Sequence, residues 1–125
     1  MVEAAKGICH HFIPDVWLFT DHYTGKQSGN SPGFALFLQA ETTSNCRLSV
    51  EAVGDKGIVP EDLAKQAAYL LFEEVKRGGC VDSSHQWLVF LYMALTPEDV
   101  SKVRVGKLTE YSIQFLRNIK EFLGV

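Results

Sequence analysis

A chain of 125 residues is the size of one domain and can bury one modest core. Hydrophobic residues at 46% and charged residues at 22% exclude a disordered polymer. A net charge of −3 by itself predicts neither strong nucleic-acid binding nor membrane attraction.

Residues 2–12 read as a short helix, or the tail of one, with no capping residue before it, as in a piece cut from something longer. Residues 14–20, PDVWLFT, read as a strand with apolar groups on both faces, which predicts burial on both. Residues 21–33, DHYTGKQSGNSPG, are a loop by composition. GFALFLQAE, the polar turn TTSN and CRLSVEAV then predict an antiparallel hairpin. Cys46, Leu48, Val50 and Ala52 fall on its dry face, with Arg47, Ser49 and Glu51 opposite.

Pro60 suits the first position of a long helix reaching Arg77, its apolar stripe formed by Leu63, Ala67, Leu70, Leu71 and Val75. Gly78 and Gly79 end it. A second helix is predicted from about Ser83, with Gln86 as a capping-box partner and the body WLVFLYMAL apolar on all sides, hence central in the core. SKVRV, residues 101–105, reads as a short strand. Thr109 caps a last helix whose stripe is Phe115, Leu116, Ile119, Phe122 and Leu123, with Leu108 and Ile113 placed for a hydrophobic staple. The class is α+β, with helices on a mixed, mainly antiparallel sheet that lacks a partner strand.

Charge is unevenly placed. Residues 1–99 hold seven Lys/Arg against thirteen Asp/Glu, whereas residues 100–125 hold five against two. Lys102, Arg104, Lys107, Arg117 and Lys120 therefore make a basic end suited to phosphate or partner contact, or a solvated face with an Arg117–Glu121 pair. Three separated cysteines without a CxxC pair fit free thiols in a reducing compartment. No apolar run approaches the ~20 residues of a membrane span, so a soluble intracellular protein is expected.

Four further clusters carry residue types capable of chemistry. Cys9, His10 and His11 project about 100° apart on a helix and are poorly placed to share a metal. Asp21 and His22 stand at a strand end, where an acid can tune a base. Lys26, Ser28 and Ser31 lie in a loop that is no P-loop but can touch an RNA phosphate. Asp82, Ser83, Ser84 and His85 suggest a nucleophile, yet Ser83 is better explained as a cap.

Three strings are distinctive together: IPDVWLFTDHYTGKQSGNSPGFALFLQAETTS, PEDLAKQAAYLLFEEVKRGGCVDSSHQ and DVSKVRVGKLTEYSIQFLRNIKEFLGV. They resemble the cyclase-like branch of the RNA 3′-terminal phosphate cyclase family, plant members included, over about the last third of a family chain. The resemblance implies a partial last repeat unit of the cyclase and enolpyruvyl transferase-like fold. Residues 1–13 would end the inserted segment, and residues 14–125 would form a repeat unit incomplete at its C-terminus. In true cyclases a histidine at the start of the last helix carries AMP. That place falls on Tyr111 here, with Gln114 and Phe115 in the following Thr-Asn places. An Asp-Gln pair falls on Trp87 and Leu88. A phenol, with a reference pKa of ~10, cannot replace imidazole as a phosphoramidate nucleophile near neutral pH.

No catalytic residue, metal or cofactor is therefore expected. The resemblance implies a small-subunit ribosome-assembly factor in the nucleus and nucleolus, a scaffold binding a processome GTPase and precursor rRNA, with Arg117 and Lys120 the first RNA-contact candidates. The rival reading is an RNA-processing enzyme, either a pre-rRNA endonuclease using Asp21, His22 and Arg117 or a residual cyclase. A third is a truncated product without a role of its own.

Overall fold

The computed structural model describes residues 1–97 and 100–124. Within them lie helices α1 (Val2–His10), α2 (Pro60–Arg77), α3 (Gln86–Leu95) and α4 (Glu110–Leu123) and strands β1 (Ala35–Glu41) and β2 (Arg47–Val53), with a 3-10 turn at Gly25–Ser28. The α+β class expected from the sequence is the one observed. Two compact units divide the chain: Met1–Gln39 with Ser49–Phe72, and Ala40–Leu48 with the residues from Glu73 onward.

The hairpin follows its alternation. Leu48 is buried and Val50 and Ala52 half-buried, while Arg47 and Glu51 are exposed. Its turn closes because Thr42 N–H donates to Cys46 O at 2.9 Å and Asn45 N–H to Thr42 O at 2.9 Å. Asn45 takes φ +60°, a left-handed conformation that asparagine tolerates better than most residues. At the open end, Gly54 N–H donates to Phe34 O at 2.8 Å.

In the first unit the buried residues include Ala5 and Cys9 of α1, Leu38 of β1, and Leu63, Ala64, Ala67, Ala68 and Leu71 of α2. The α2 stripe thus runs through alanines beside the expected leucines, and Leu70, expected within it, is exposed. So is Val75, which belongs to the second unit. Phe12 packs on Phe72 with ring centroids 4.8 Å apart.

Three expectations fail, each for a physical reason. Residues 14–20 form no strand, and Trp17 and Phe19 are 81% and 91% exposed. A doubly apolar strand needs covering on both faces, and here Val16 and Leu18 are half-buried while the Trp17 and Phe19 side is exposed. Residues 101–105 form no strand either, although Arg104 O accepts the Cys80 N–H at 2.8 Å. Helix α3 starts at Gln86 rather than Ser83 and is not a core helix: Gln86 is its buried residue, and Tyr92 and Leu95 are exposed. Among the described residues α4 is the helix it packs on, and the α3 residues other than Gln86, Tyr92 and Leu95 are half-buried.

Helix α4 is capped as expected. Ser112 N–H donates to Thr109 Oγ1 at 3.0 Å, and Gly124 closes the far end in the left-handed region. Its apolar stripe is only partly covered: Ile119 is buried, Phe115 half-buried, and Leu116, Phe122 and Leu123 are exposed. Among the described residues no helix is long and apolar enough to cross a membrane.

Candidate functional site

The second unit brings together Trp87, Tyr111 and Phe115, three of the positions singled out in the sequence. Tyr111 and Phe115 are four residues apart on α4, so they share a face. Their rings stack at 6.4 Å with a 15° interplanar angle. Trp87, one residue into α3, meets Phe115 edge-on at 5.5 Å and Tyr111 at 6.3 Å. Such pairs contribute about 0.5–1.5 kcal/mol each beyond area burial.

What sets this register is the residue before Trp87. Gln86 is 1% exposed; its Nε2 donates to Lys107 O at 3.2 Å and its Oε1 accepts Thr109 N–H at 3.3 Å. One buried amide therefore ties the start of α3 to the segment that caps α4. The expected capping box is absent because Gln86 is committed to this bridge and Ser83 to another carboxylate. The three rings offer apolar surface and a phenol, with no imidazole and no carboxylate to move a proton. Among the described residues no group of three or more His, Cys, Asp or Glu is placed to hold a metal ion.

On the same helix, Arg117 and Lys120 are exposed. Among the described residues neither is ion-paired, and the alternative Arg117–Glu121 pair does not form. Lys120 borders an open cavity of about 430 Å³ lined by Phe90, Met93, Ala94, Ser101, Leu116 and Ile119.

The remaining candidates lie in the first unit. Asp21, His22, Lys26 and Ser31 are exposed, and Ser28 is half-buried. Ser28 Oγ donates to Gly25 O at 2.7 Å, closing the turn that displays Lys26. Cys9, His10 and His11 are not brought together: Cys9 is buried, which pushes its thiol pKa up, while both histidines are exposed.

Sequence reasoning undervalues Asp82 and does not single out Glu74. Asp82 is 3% exposed; its Oδ1 lies 2.7 Å from His85 Nδ1 and accepts the Ser84 and His85 N–H groups at 3.2 Å each. It is Asp82, not Ser83, that caps the turn into α3. Buried Glu74 accepts from Arg77 Nη1 at 2.8 Å, Ser83 N–H at 2.9 Å and Ser83 Oγ at 2.5 Å. Ser83 is thus held by a carboxylate and not by His85. An acid three residues before a histidine at a helix start is the available signal for the Asp82–His85 pair.

Comparison with known proteins identifies the chain's relatives. A family model described as the RNA 3′-terminal phosphate cyclase (RTC) insert domain matches residues 1–76. An RNA 3′-terminal phosphate cyclase-like protein of Mus musculus is 48% identical over 130 residues, covering 100% of this chain and 35% of its own length. A probable cyclase-like protein of Dictyostelium discoideum is 44% identical, covering 100% of this chain and 38% of its own. The rRNA processing protein rcl1 of Schizosaccharomyces pombe is 41% identical over 96% of this chain and 34% of its own. The chain spans little more than a third of the length of these curated relatives. Matched by the family model over more than half its length and by cyclase-like relatives along essentially all of it, this chain belongs to the RNA 3′-terminal phosphate cyclase family, in its cyclase-like branch.

Proposed function

We propose that the chain serves ribosome biogenesis, in small-subunit pre-rRNA processing in the nucleus and nucleolus, as part of a catalytically inactive cyclase scaffold that binds a processome GTPase and precursor rRNA. The observation that carries this reading is the Trp87–Tyr111–Phe115 cluster. The resemblance puts a nucleotide-carrying histidine at Tyr111 and an acid at Trp87, and here those positions hold aromatic rings packed on each other. A stack of rings stabilises α3 against α4 and can receive a base or an apolar side chain, but it does not transfer an adenylyl group. A relative named for rRNA processing supports the direction of the reading.

RNA or partner contact is assigned to Arg117 and Lys120, which are exposed and not ion-paired among the described residues, with Lys26, Ser28, Ser31, Asp21 and His22 as further candidates in the first unit. The test is equilibrium binding of a precursor-rRNA fragment across a salt series. Arg117→Ala and Lys120→Ala are each expected to flatten the log–log salt slope by about 0.7–0.9 for every phosphate left without its cation. Slopes and affinities unchanged in both variants contradict the assignment.

The expected division at residue 13, between an inserted segment and a repeat unit, stands as a proposal beside a family match that continues to residue 76. Limited proteolysis separates the two: a first cut near 13 supports the earlier boundary, and protection of 1–76 as one fragment opposes it.

A further inference from the structure

The segment leading into α4 forms no strand, yet its backbone is fastened at two points within the second unit. Arg104 O accepts the Cys80 N–H at 2.8 Å, and Lys107 O accepts Gln86 Nε2 at 3.2 Å. Between them Gly106 passes so close to the end of α2 that a Cβ there would meet Gly78 O at 2.8 Å. Exposure alternates along this strap. Val103 and Val105 are half-buried, whereas Lys102, Arg104 and Lys107 are exposed. Among the described residues none of these three cations is ion-paired. Residues 100–125 hold only two acids, Glu110 and Glu121, against five Lys/Arg.

Tyr111 stands four residues after Lys107, so the two Cα atoms are at most ~14 Å apart. Tyr111 is 62% exposed. Phe115 stacks on its ring at 6.4 Å and Trp87 meets it edge-on at 6.3 Å. The residue before Trp87 is Gln86, the one that holds the Lys107 carbonyl. Ring and strap are thus anchored to the same helix start.

We propose that Lys102, Arg104, Lys107 and Tyr111 form a binding site for single-stranded RNA, with one base stacked on the Tyr111 ring and backbone phosphates on the three cations. This rests on the proposed RNA contact of the chain and adds a surface distinct from Arg117 and Lys120. An exposed ring already packed by its neighbours gives a base a flat apolar face, and cations beside it follow the backbone. The combination selects the ligand. A duplex offers phosphates but keeps its base faces covered. An acidic protein segment offers charge but no base to stack. Little sequence preference is expected, because every base has a π-face and the phosphate contacts carry no sequence information.

The test titrates the full chain with a fluorescein-labelled single-stranded oligoadenylate, read by anisotropy across a salt series, with circular dichroism and urea midpoints as folding controls. Tyr111→Ala should weaken binding by about 5- to 150-fold, the range for losing one base–aromatic stack, and Tyr111→Phe should keep it. Should Tyr111→Ala fail to fold, Tyr111→Leu keeps the apolar bulk without the π-face and carries the same expectation. Lys102→Ala, Arg104→Ala and Lys107→Ala should each flatten the log–log salt slope by about 0.7, and all three keep the backbone carbonyls that fasten the strap. In a Trp17→Phe background Trp87 is the one tryptophan left, and its emission should change as the oligonucleotide binds. Unchanged affinity in folded Tyr111→Ala overturns the stack. A duplex of equal length binding as tightly as the single strand, or polyglutamate displacing it at equal charge, overturns the choice of ligand. RNA affinity that depends on Arg117 and Lys120 but on none of these four residues overturns this site and leaves the proposed RNA contact standing; no binding of RNA at all overturns both.

Discussion

Replacing Gln86 with leucine removes a buried amide while nearly keeping its volume. Two backbone groups are then stripped of their bonds, Lys107 O at 3.2 Å and Thr109 N–H at 3.3 Å. A backbone group without its partner costs about 1–3 kcal/mol. Lys107 is exposed and Thr109 half-buried, so water reaches both in part, and the lower end of that range applies to each. The expected destabilisation is about 2 kcal/mol. Urea denaturation of the folded chain, followed by tryptophan fluorescence in a Trp17→Phe background, reads it as a lower midpoint at unchanged m. Gln86→Glu sharpens the test, because it keeps the acceptor for Thr109 but places a charged acceptor against the Lys107 carbonyl. Burial raises that carboxyl's pKa in the folded state, so the folded form binds protons the unfolded form releases, and stability rises as pH falls through the raised value. A Gln86→Leu midpoint equivalent to less than about 0.5 kcal/mol from wild type would refute the claim that this amide ties α3 to α4.

Other outcomes follow from single interactions. Thr109→Ala removes the cap on Ser112 N–H and should cost about 1–2 kcal/mol in the same assay, with Thr109→Ser restoring most of it. Gly79→Ala should be worse, because its Cβ would meet Gly106 N at 2.6 Å at a φ of +105°; a destabilisation of about 2 kcal/mol or more, or failure to fold, is expected, and a neutral effect contradicts the close backbone approach. Under native conditions at neutral pH, iodoacetamide should modify Cys46 well before Cys9. Cys46 labelling should level off at a lower pH, since its thiol pKa is lowered and that of Cys9 raised; peptide mapping across a pH series reads both curves.

The elements legible in the sequence are those specified locally. Pro60, the two acids after it and the Gly78–Gly79 stop mark the ends of α2, and Thr109 marks the start of α4. The hairpin is legible because β2 alternates on a period of two around a short polar turn. What fails depends on a partner. Trp17 and Phe19 read as a buried strand, but burial is a property of two surfaces and the sequence states one. The same holds for α3, whose apolar body predicts full burial, whereas most of its residues are half-buried and Tyr92 and Leu95 are exposed. Within the site, the identities at Tyr111 and Trp87 are readable, and their packing is not, because it spans two helices set in register by Gln86. Ser83 reads as a cap from sequence, and Asp82 is not weighed for that place. Both are good capping residues, and what decides is the carboxylate of Glu74, nine residues earlier, which takes the Ser83 hydroxyl.

The claim on which the functional account rests is that no nucleotide becomes covalently attached at Tyr111. Intact-mass analysis of the full chain after incubation with magnesium and ATP, followed by peptide mapping of residues 110–123, measures this directly. The account predicts an unchanged mass for the wild-type chain and for Tyr111→Phe alike. An added adenylyl group that maps to Tyr111 and is absent from Tyr111→Phe would contradict it.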